Sequence, residues 1–472
     1  MLFLNRRPEL AALAGLAGRG GLAVVWGRRR IGKTRLLLEW CERAGGVYTV
    51  ADQAGAEAQR AYLATALAAA LPGFADVTYP SWERLLTRLA ADAAARRFRG
   101  PIVLDELPYL VATSPELPSV LQRWIDHDAR RAGLQVALAG SSQRMMQGLV
   151  LGHAAPLFGR ADVLLDLAPL GPEHLPAAFG PLSAAALVEH WAAWGGVPRY
   201  WELATALRGP AADRLVALAL DPIGALFAEP ERLLLEESPS AIEMRPVLDA
   251  IGAGAHRLSE IAGRLAMPAT SLGRPLDRLT GMGLVRRETP YGEPTRGGKR
   301  SLYKLDDPFL RMWCRVVAPN RAALVAGSPT SRTALLAEHW AALVGQAWED
   351  LCRRALATIR KGGLARLGPW RPAARYWHGG EPEWDLVADD VAGRRVLAGE
   401  AWFAARPLTA EVARREAGRL LARPLPPPIA GRDVVRALFV PALAPTAPRV
   451  VGGVHLVTLA DLLGTPRAAG AR

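Results

Sequence analysis

Cysteine is scarce in this chain. Its three copies among 472 residues, Cys41, Cys314 and Cys352, lie far apart, which excludes a disulfide framework and metal-ligand spacing. Lysine is nearly absent, so arginine carries almost all of the positive charge. No charge-free apolar run reaches about 18 residues, so no membrane-spanning helix is expected. The opening segment MLFLNRRPEL places a short apolar run before its charges, the reverse of a secretory signal. No internal repeat is visible. What remains is a chain that is 50% hydrophobic, enough for real cores. Its length suits about three domains of roughly 100–200 residues, and a soluble cytoplasmic protein fits best.

Acidic residues are outnumbered, giving a net charge of +13 and a pI near 10.3. Such an excess favours nucleic acid or another polyanion through counterion release. The plainer source is composition, because Ala, Arg, Gly, Pro and Leu dominate as GC-rich coding would make them.

Short apolar segments recur early in the chain. Residues 22–26 (LAVVW) read as a buried strand before a glycine-bounded turn, and 33–44 as the helix that follows. Residues 47–50, 101–104, 134–139 and 163–167 read as four more strands, with helical stretches between them. This alternation implies an α/β architecture with a parallel sheet covered on both faces. From about 172 to 240 the segments are helix-like. Residues 245–305 give three short helical stretches and a hairpin. Strands follow near 384–389 and 395–403, and 422–432 is a proline-rich loop.

The sharpest motif is Gly27-Arg28-Arg29-Arg30-Ile31-Gly32-Lys33-Thr34, which matches GxxxxGK[ST] between a predicted strand and a predicted helix. Glycines there let successive N–H groups turn toward phosphates, and the helix N-terminus adds partial positive charge. Lys33 is expected to reach the β- and γ-phosphates of ATP, and Thr34 to ligate magnesium. Residues 102–106 (IVLDE) carry two acids to the same sheet edge. Asp105 is expected to order the magnesium shell and Glu106 to act as general base on the attacking water. Ser141, with Ser142, ends the next strand, placed either to bond the water or γ-phosphate or to cap a helix. Arg160 is a candidate arginine finger, with a salt-bridged surface arginine as its bland alternative.

In this order the segments resemble one group, the archaeal-type ATPases of the AAA/STAND superfamily. Phe3, Leu4, Asn5 and Arg6 with Glu9 and Leu10 resemble its N-terminal motif near the adenine. Residues 27–34 resemble its P-loop, 104–109 (LDELPY) its hydrolysis strand, and Gly140-Ser141-Ser142 its sensor strand. Residues 157–160 (LFGR) resemble its arginine element, 195–200 (GGVPRY) the GGxP motif of its lid, and 303–309 (YKLDDPF) the lead into its C-terminal part. The resemblance implies a P-loop core over 1–170, a helical lid over 171–240, a winged helix over 241–305, and a C-terminal domain over 306–472. The last resembles PD-(D/E)xK nucleases, a restriction-endonuclease-like α/β fold.

Within 241–305, residues 258–266 and 270–282 read as a helix-turn-helix, with Thr270 or Ser271 capping the second helix and Pro275 near its start. Arg274 and Arg278 would face a DNA groove, and Arg296, Lys299 and Arg300 on the wing would hold phosphates. In the tail, Asp385 and Glu400 sit on neighbouring strands, where a hairpin would bring them together as metal ligands, with Glu349 as a third acid. The lysine of such a site belongs at position 402, where this chain has Trp402; Lys361 or Arg406 would substitute only if the fold brought them near.

Two functions remain. One is a magnesium-dependent ATPase acting on or with double-stranded DNA through residues 270–300. The other is a nucleotide-dependent signalling switch or scaffold whose nuclease-like domain is degenerate. A homo-oligomer is compatible with either, and no membrane partner is expected.

Overall fold

Five strands open the chain: β1 (Gly21–Trp26), β2 (Val47–Val50), β3 (Pro101–Asp105), β4 (Gln135–Gly140) and β5 (Val163–Asp166). They pair in the order β2-β3-β4-β1-β5, every pair parallel. The computed structural model describes residues 3–153, 155–237, 239–294 and 300–464. These fall into two units, the first being Met1–Pro169 with Val197–Arg199, the second Leu170–Gly196 with Tyr200–Arg472.

The first sheet is buried on both faces because its central strands are apolar at successive positions. Side chains alternate between faces along a strand. Leu22, Val24, Ile102, Leu104, Val136 and Leu138 therefore pack on one side with Trp82 and Leu86 of the helix Trp82–Ala95. Ala23, Val25, Val103, Ala137 and Ala139 pack on the other with Leu36, Leu37 and Trp40 of the helix Lys33–Ala44. A parallel sheet needs this double cover.

The second unit starts in helices, including Ala184–Trp194, Arg245–Gly252, Leu258–Arg264 and Gly273–Gly281. An antiparallel hairpin follows, β6 (Val285–Glu288) with β7 (Leu302–Leu305). After the 28-residue helix Pro329–Leu356 come β8 (Ala374–Tyr376), β9 (Trp384–Asp389), β10 (Arg395–Ala401), β11 (Asp433–Val440), β12 (Val450–Val451) and β13 (Val454–Thr458). They form a mixed sheet in the order β12-β13-β11-β10-β9-β8, parallel at β10–β11 and β11–β13 and antiparallel elsewhere. Among the described residues no helix is long and apolar enough to cross a membrane.

Two local expectations need correction. Neither Thr270 nor Ser271 caps an α-helix. Residues Ala269–Leu272 form a 3-10 turn, the Ser271 hydroxyl donates to the Pro268 carbonyl at 2.6 Å, and the α-helix starts at Gly273 with Leu272 as its N-cap. The strand expected over 395–403 stops at Ala401. Arg296 and Lys299 lie outside the described residues.

Candidate functional site

Strand β1 delivers the chain to a loop that only glycine can enter. Gly27 sits at φ 141°, and a Cβ there would fall 2.7 Å from the Leu167 carbonyl oxygen. Gly32 at φ 95° closes the loop as the N-cap of the helix Lys33–Ala44, and Arg30 between them is also left-handed at φ 65°. Lys33 is buried, its Nζ donating to the carbonyls of Gly27 at 2.8 Å and Arg28 at 3.2 Å. The lysine thus lies across the mouth of its own loop. Arg28, Arg29 and Arg30 are half-buried, whereas the Ile31 side chain is fully packed in the core. Arg6 braces the loop from the N-terminal segment. Its guanidinium donates to Ile31 O at 3.1 Å, to Ala168 O at 2.8 Å and to Glu9 Oε1 at 2.9 Å.

Strand β3 brings in the acids. Asp105 is 1% exposed and fully engaged. Its Oδ2 accepts from Thr34 Oγ1 at 3.0 Å and from the Tyr48 hydroxyl at 2.7 Å, and its Oδ1 from the Glu106 N–H at 2.8 Å. Burial, then the neighbouring Asp105 charge, pushes the Tyr48 phenol well above its ordinary range, so it stays a donor. The chain turns sharply after Asp105, with Glu106 at φ 55° and ψ 45°. A non-glycine residue held there is uncommon, and such backbone strain concentrates at functional sites. The turn aims Glu106 at the end of β4. Ser141 Oγ donates to Glu106 Oε1, and the Ser141 N–H donates to Oε2 at 3.3 Å. Gly140 permits this approach, since a Cβ there would meet Pro108 Cδ at 2.9 Å and Met146 Sδ at 2.7 Å.

Lys33, Thr34, Asp105, Glu106 and Ser141 therefore share one bonded cluster or its loop. Arg160 is held elsewhere in this unit: its Nε pairs with both Asp126 oxygens at 3.0 Å, and its Nη1 donates to the carbonyls of Pro156 and Phe158. Sequence reading passed over Tyr48. The available signal was the one aromatic side chain, a phenol, on the short strand beside β3.

The tail acids also meet. β9 and β10 pair up to Leu386 opposite Gly399, so Asp385 and Glu400 are the next residues along. Burial, then Asp385, pushes the Glu400 carboxyl up to about 7, and Glu349 is raised by burial and Asp385 in the same way. Yet a cation of the protein itself already stands there. The Arg423 guanidinium donates to Glu400 Oε2 while lying 5.5 Å over the Trp384 ring, and Asp385 Oδ2 accepts from the Ala401 N–H at 3.0 Å. Trp402, at the lysine position, packs against the core of this sheet. Lys361 lines a different cavity, with Arg366, Arg449 and His455. Among the described residues no three His, Cys, Asp or Glu are arranged to hold a metal ion.

Two stretches of the chain match known families. Residues 3–202 match the family described as an ATPase domain predominantly from Archaea, and residues 313–415 match one of archaeal and bacterial proteins of unknown function. An uncharacterized protein of Methanocaldococcus jannaschii is 27% identical over 400 residues, covering 84% of this chain and 86% of that protein. The Walker-type ATPase of Pyrococcus abyssi superposes with a TM-score of 0.53 at 19% identity, over 66% of this chain and 96% of that one, a likeness of fold. Residues 3–202 thus form a P-loop domain similar to that archaeal ATPase family, and residues 313–415 a C-terminal segment similar to the second family.

Proposed function

We infer that the first unit binds ATP with magnesium and hydrolyses it. The observation that carries this is the run of hydrogen bonds from Thr34 through Asp105 to Glu106 and Ser141. Magnesium, when bound, would neutralise charge on the β- and γ-phosphates, with Thr34 and Asp105 on its side of the site. The loop N–H groups and Lys33 would hold the phosphates, Lys33 exchanging carbonyl partners for phosphate oxygens. Glu106, fixed by two Ser141 donors, would take a proton from the attacking water. Arg160 is committed to Asp126 and is assigned no contact with the phosphates. The test is ATP hydrolysis by the purified chain, with and without duplex DNA. Lys33→Ala is expected to remove turnover in both, and turnover that survives it would exclude the P-loop as the site.

In the second unit the helices Leu258–Arg264 and Gly273–Gly281 with the β6–β7 hairpin are read as a winged helix. Arg274 is exposed, as a groove-facing residue must be, and Arg300 is paired with Glu293 at 2.9 Å. A specific observation favours the second reading, the switch or scaffold. The hairpin is tied to the tail: Arg286 bonds Asp350 at 2.7 Å, the Tyr291 hydroxyl bonds Asp389 at 2.9 Å, and the Tyr291 N–H bonds the Arg375 carbonyl at 2.7 Å. A wing bound this way serves first as a domain joint. DNA that stimulates ATP turnover, with affinity falling steeply as salt rises, would favour the DNA reading. DNA-indifferent turnover would favour the switch.

The restriction-endonuclease-like tail is read as non-cleaving, because Arg423 and Trp402 stand where a metal and a lysine would be needed. Duplex DNA incubated with the chain and magnesium or manganese is expected to stay intact. Cleavage that Asp385→Ala abolishes would overturn this.

A further inference from the structure

Between strand β6, the last turns of the helix Pro329–Leu356 and the segment before β8 lies a cavity of about 350 Å³. Arg286, Arg287, Arg353, Arg354 and Arg375 line it, against the acids Glu288 and Asp350. The charge around it does not balance. Arg286, Lys304, Arg311, Arg353, Arg354 and Arg375 converge on three carboxylates, Glu288, Asp306 and Asp350. Two further acids stand at its margin, Glu383, 64% exposed, on Arg375 and Glu349 3.7 Å from Arg353, so six cations still face five acids.

Positive charge enclosed without a partner is costly, and an anion that joins it recovers that cost. Guanidinium forks match phosphate oxygens two at a time, which a point charge cannot do.

We propose that this cavity is a binding site for a phosphate group, separate from the P-loop and placed where the hairpin meets the tail. The phosphate comes either from a small ion such as pyrophosphate or from a nucleic-acid backbone. The site does not depend on ATP hydrolysis in the first unit.

The test uses the full chain carrying Lys33→Ala, so that the P-loop does not supply the signal. Pyrophosphate and a short DNA duplex are titrated separately by calorimetry. The variant adds Arg287→Gln and Arg354→Gln. Arg287 is exposed and the Arg354 side chain is 48% exposed, so the folded state should survive, and unchanged thermal unfolding without ligand checks this. A control removes the same charge elsewhere with Arg415→Gln and Arg419→Gln, both exposed on the helix Ala410–Ala422. Loss of one or two charged hydrogen bonds should weaken binding about 10-fold or more. Pyrophosphate binding weakened only by the cavity pair supports a small-ion site. Binding of duplex alone, weakened by that pair and not by the control, supports a backbone phosphate. No binding of either probe, or binding that the cavity pair leaves unchanged, overturns the proposal.

Discussion

Replacing Glu106 with Gln should lower the turnover of ATP by about 10²–10⁴-fold, the range that a positioned general base contributes. Nucleotide affinity should stay nearly unchanged. The substitution is well suited to this site. Glu106 receives a backbone N–H and a hydroxyl from Ser141. A glutamine keeps one oxygen for the N–H, and its amide nitrogen can donate to the Ser141 hydroxyl, which rotates to accept. The side chain should therefore hold its place and lose only its basicity. The left-handed backbone at Glu106 is untouched, because the substitution ends beyond Cγ. Single-turnover hydrolysis and equilibrium nucleotide binding, measured on the same preparation, separate the two effects. Retained turnover would show that another group activates the water.

The second large effect belongs to the second unit. Asp350 is buried, and its two oxygens accept from Arg286, Arg311 and Arg353. Those guanidiniums hold its carboxyl well below the usual carboxylate range, against the opposing effect of burial. Asp350→Ala would leave three enclosed cations facing one another. Removing one partner of a buried ion pair costs about 3–5 kcal/mol, and here three cations lose a partner together. Hydrogen exchange of amides in the helix Pro329–Leu356 should accelerate by about 10²–10³-fold or more, at 1.4 kcal/mol per factor of ten. The pH dependence has a definite sign. A depressed carboxylate contributes stability that is present above its unfolded-state value near 3.8 and lost as the pH falls below it. The wild type should therefore lose this stabilisation in acid, and the alanine variant should have none to lose. Exchange rates in that helix unchanged by Asp350→Ala would dismiss the network as a support.

Legibility from sequence follows how local the cause is. Strands β1 and β3 and the loop between β1 and its helix were readable because each is a short apolar run ending in residues with one purpose. Asp105 and Glu106 declared themselves by standing at the end of such a run. Strands β11 and β13 escaped notice, because their parallel pairing is set by partners far along the chain. The same holds for side chains. Sequence singled out Glu349, whereas the deeply buried anion is its neighbour Asp350. Which of the two turns inward depends on Arg286, 64 positions earlier. Arg423 was invisible as the partner of Glu400 for a similar reason, since the two are 23 residues apart on a helix end and a strand. Arg160 had a visible chemistry but not a visible partner, and Asp126 decides where it points.

The two larger sheets finish in their shortest strands. The first is bounded by β2 and β5, of four residues each, and the second by β12 and β8, of two and three. The strands between them run to five or more. An edge of two to four residues offers few open backbone groups to a stray strand. Aggregation through edge pairing is thereby discouraged, although the interiors are rich in β-formers. Copies of this chain would find little open backbone to pair with along these rims.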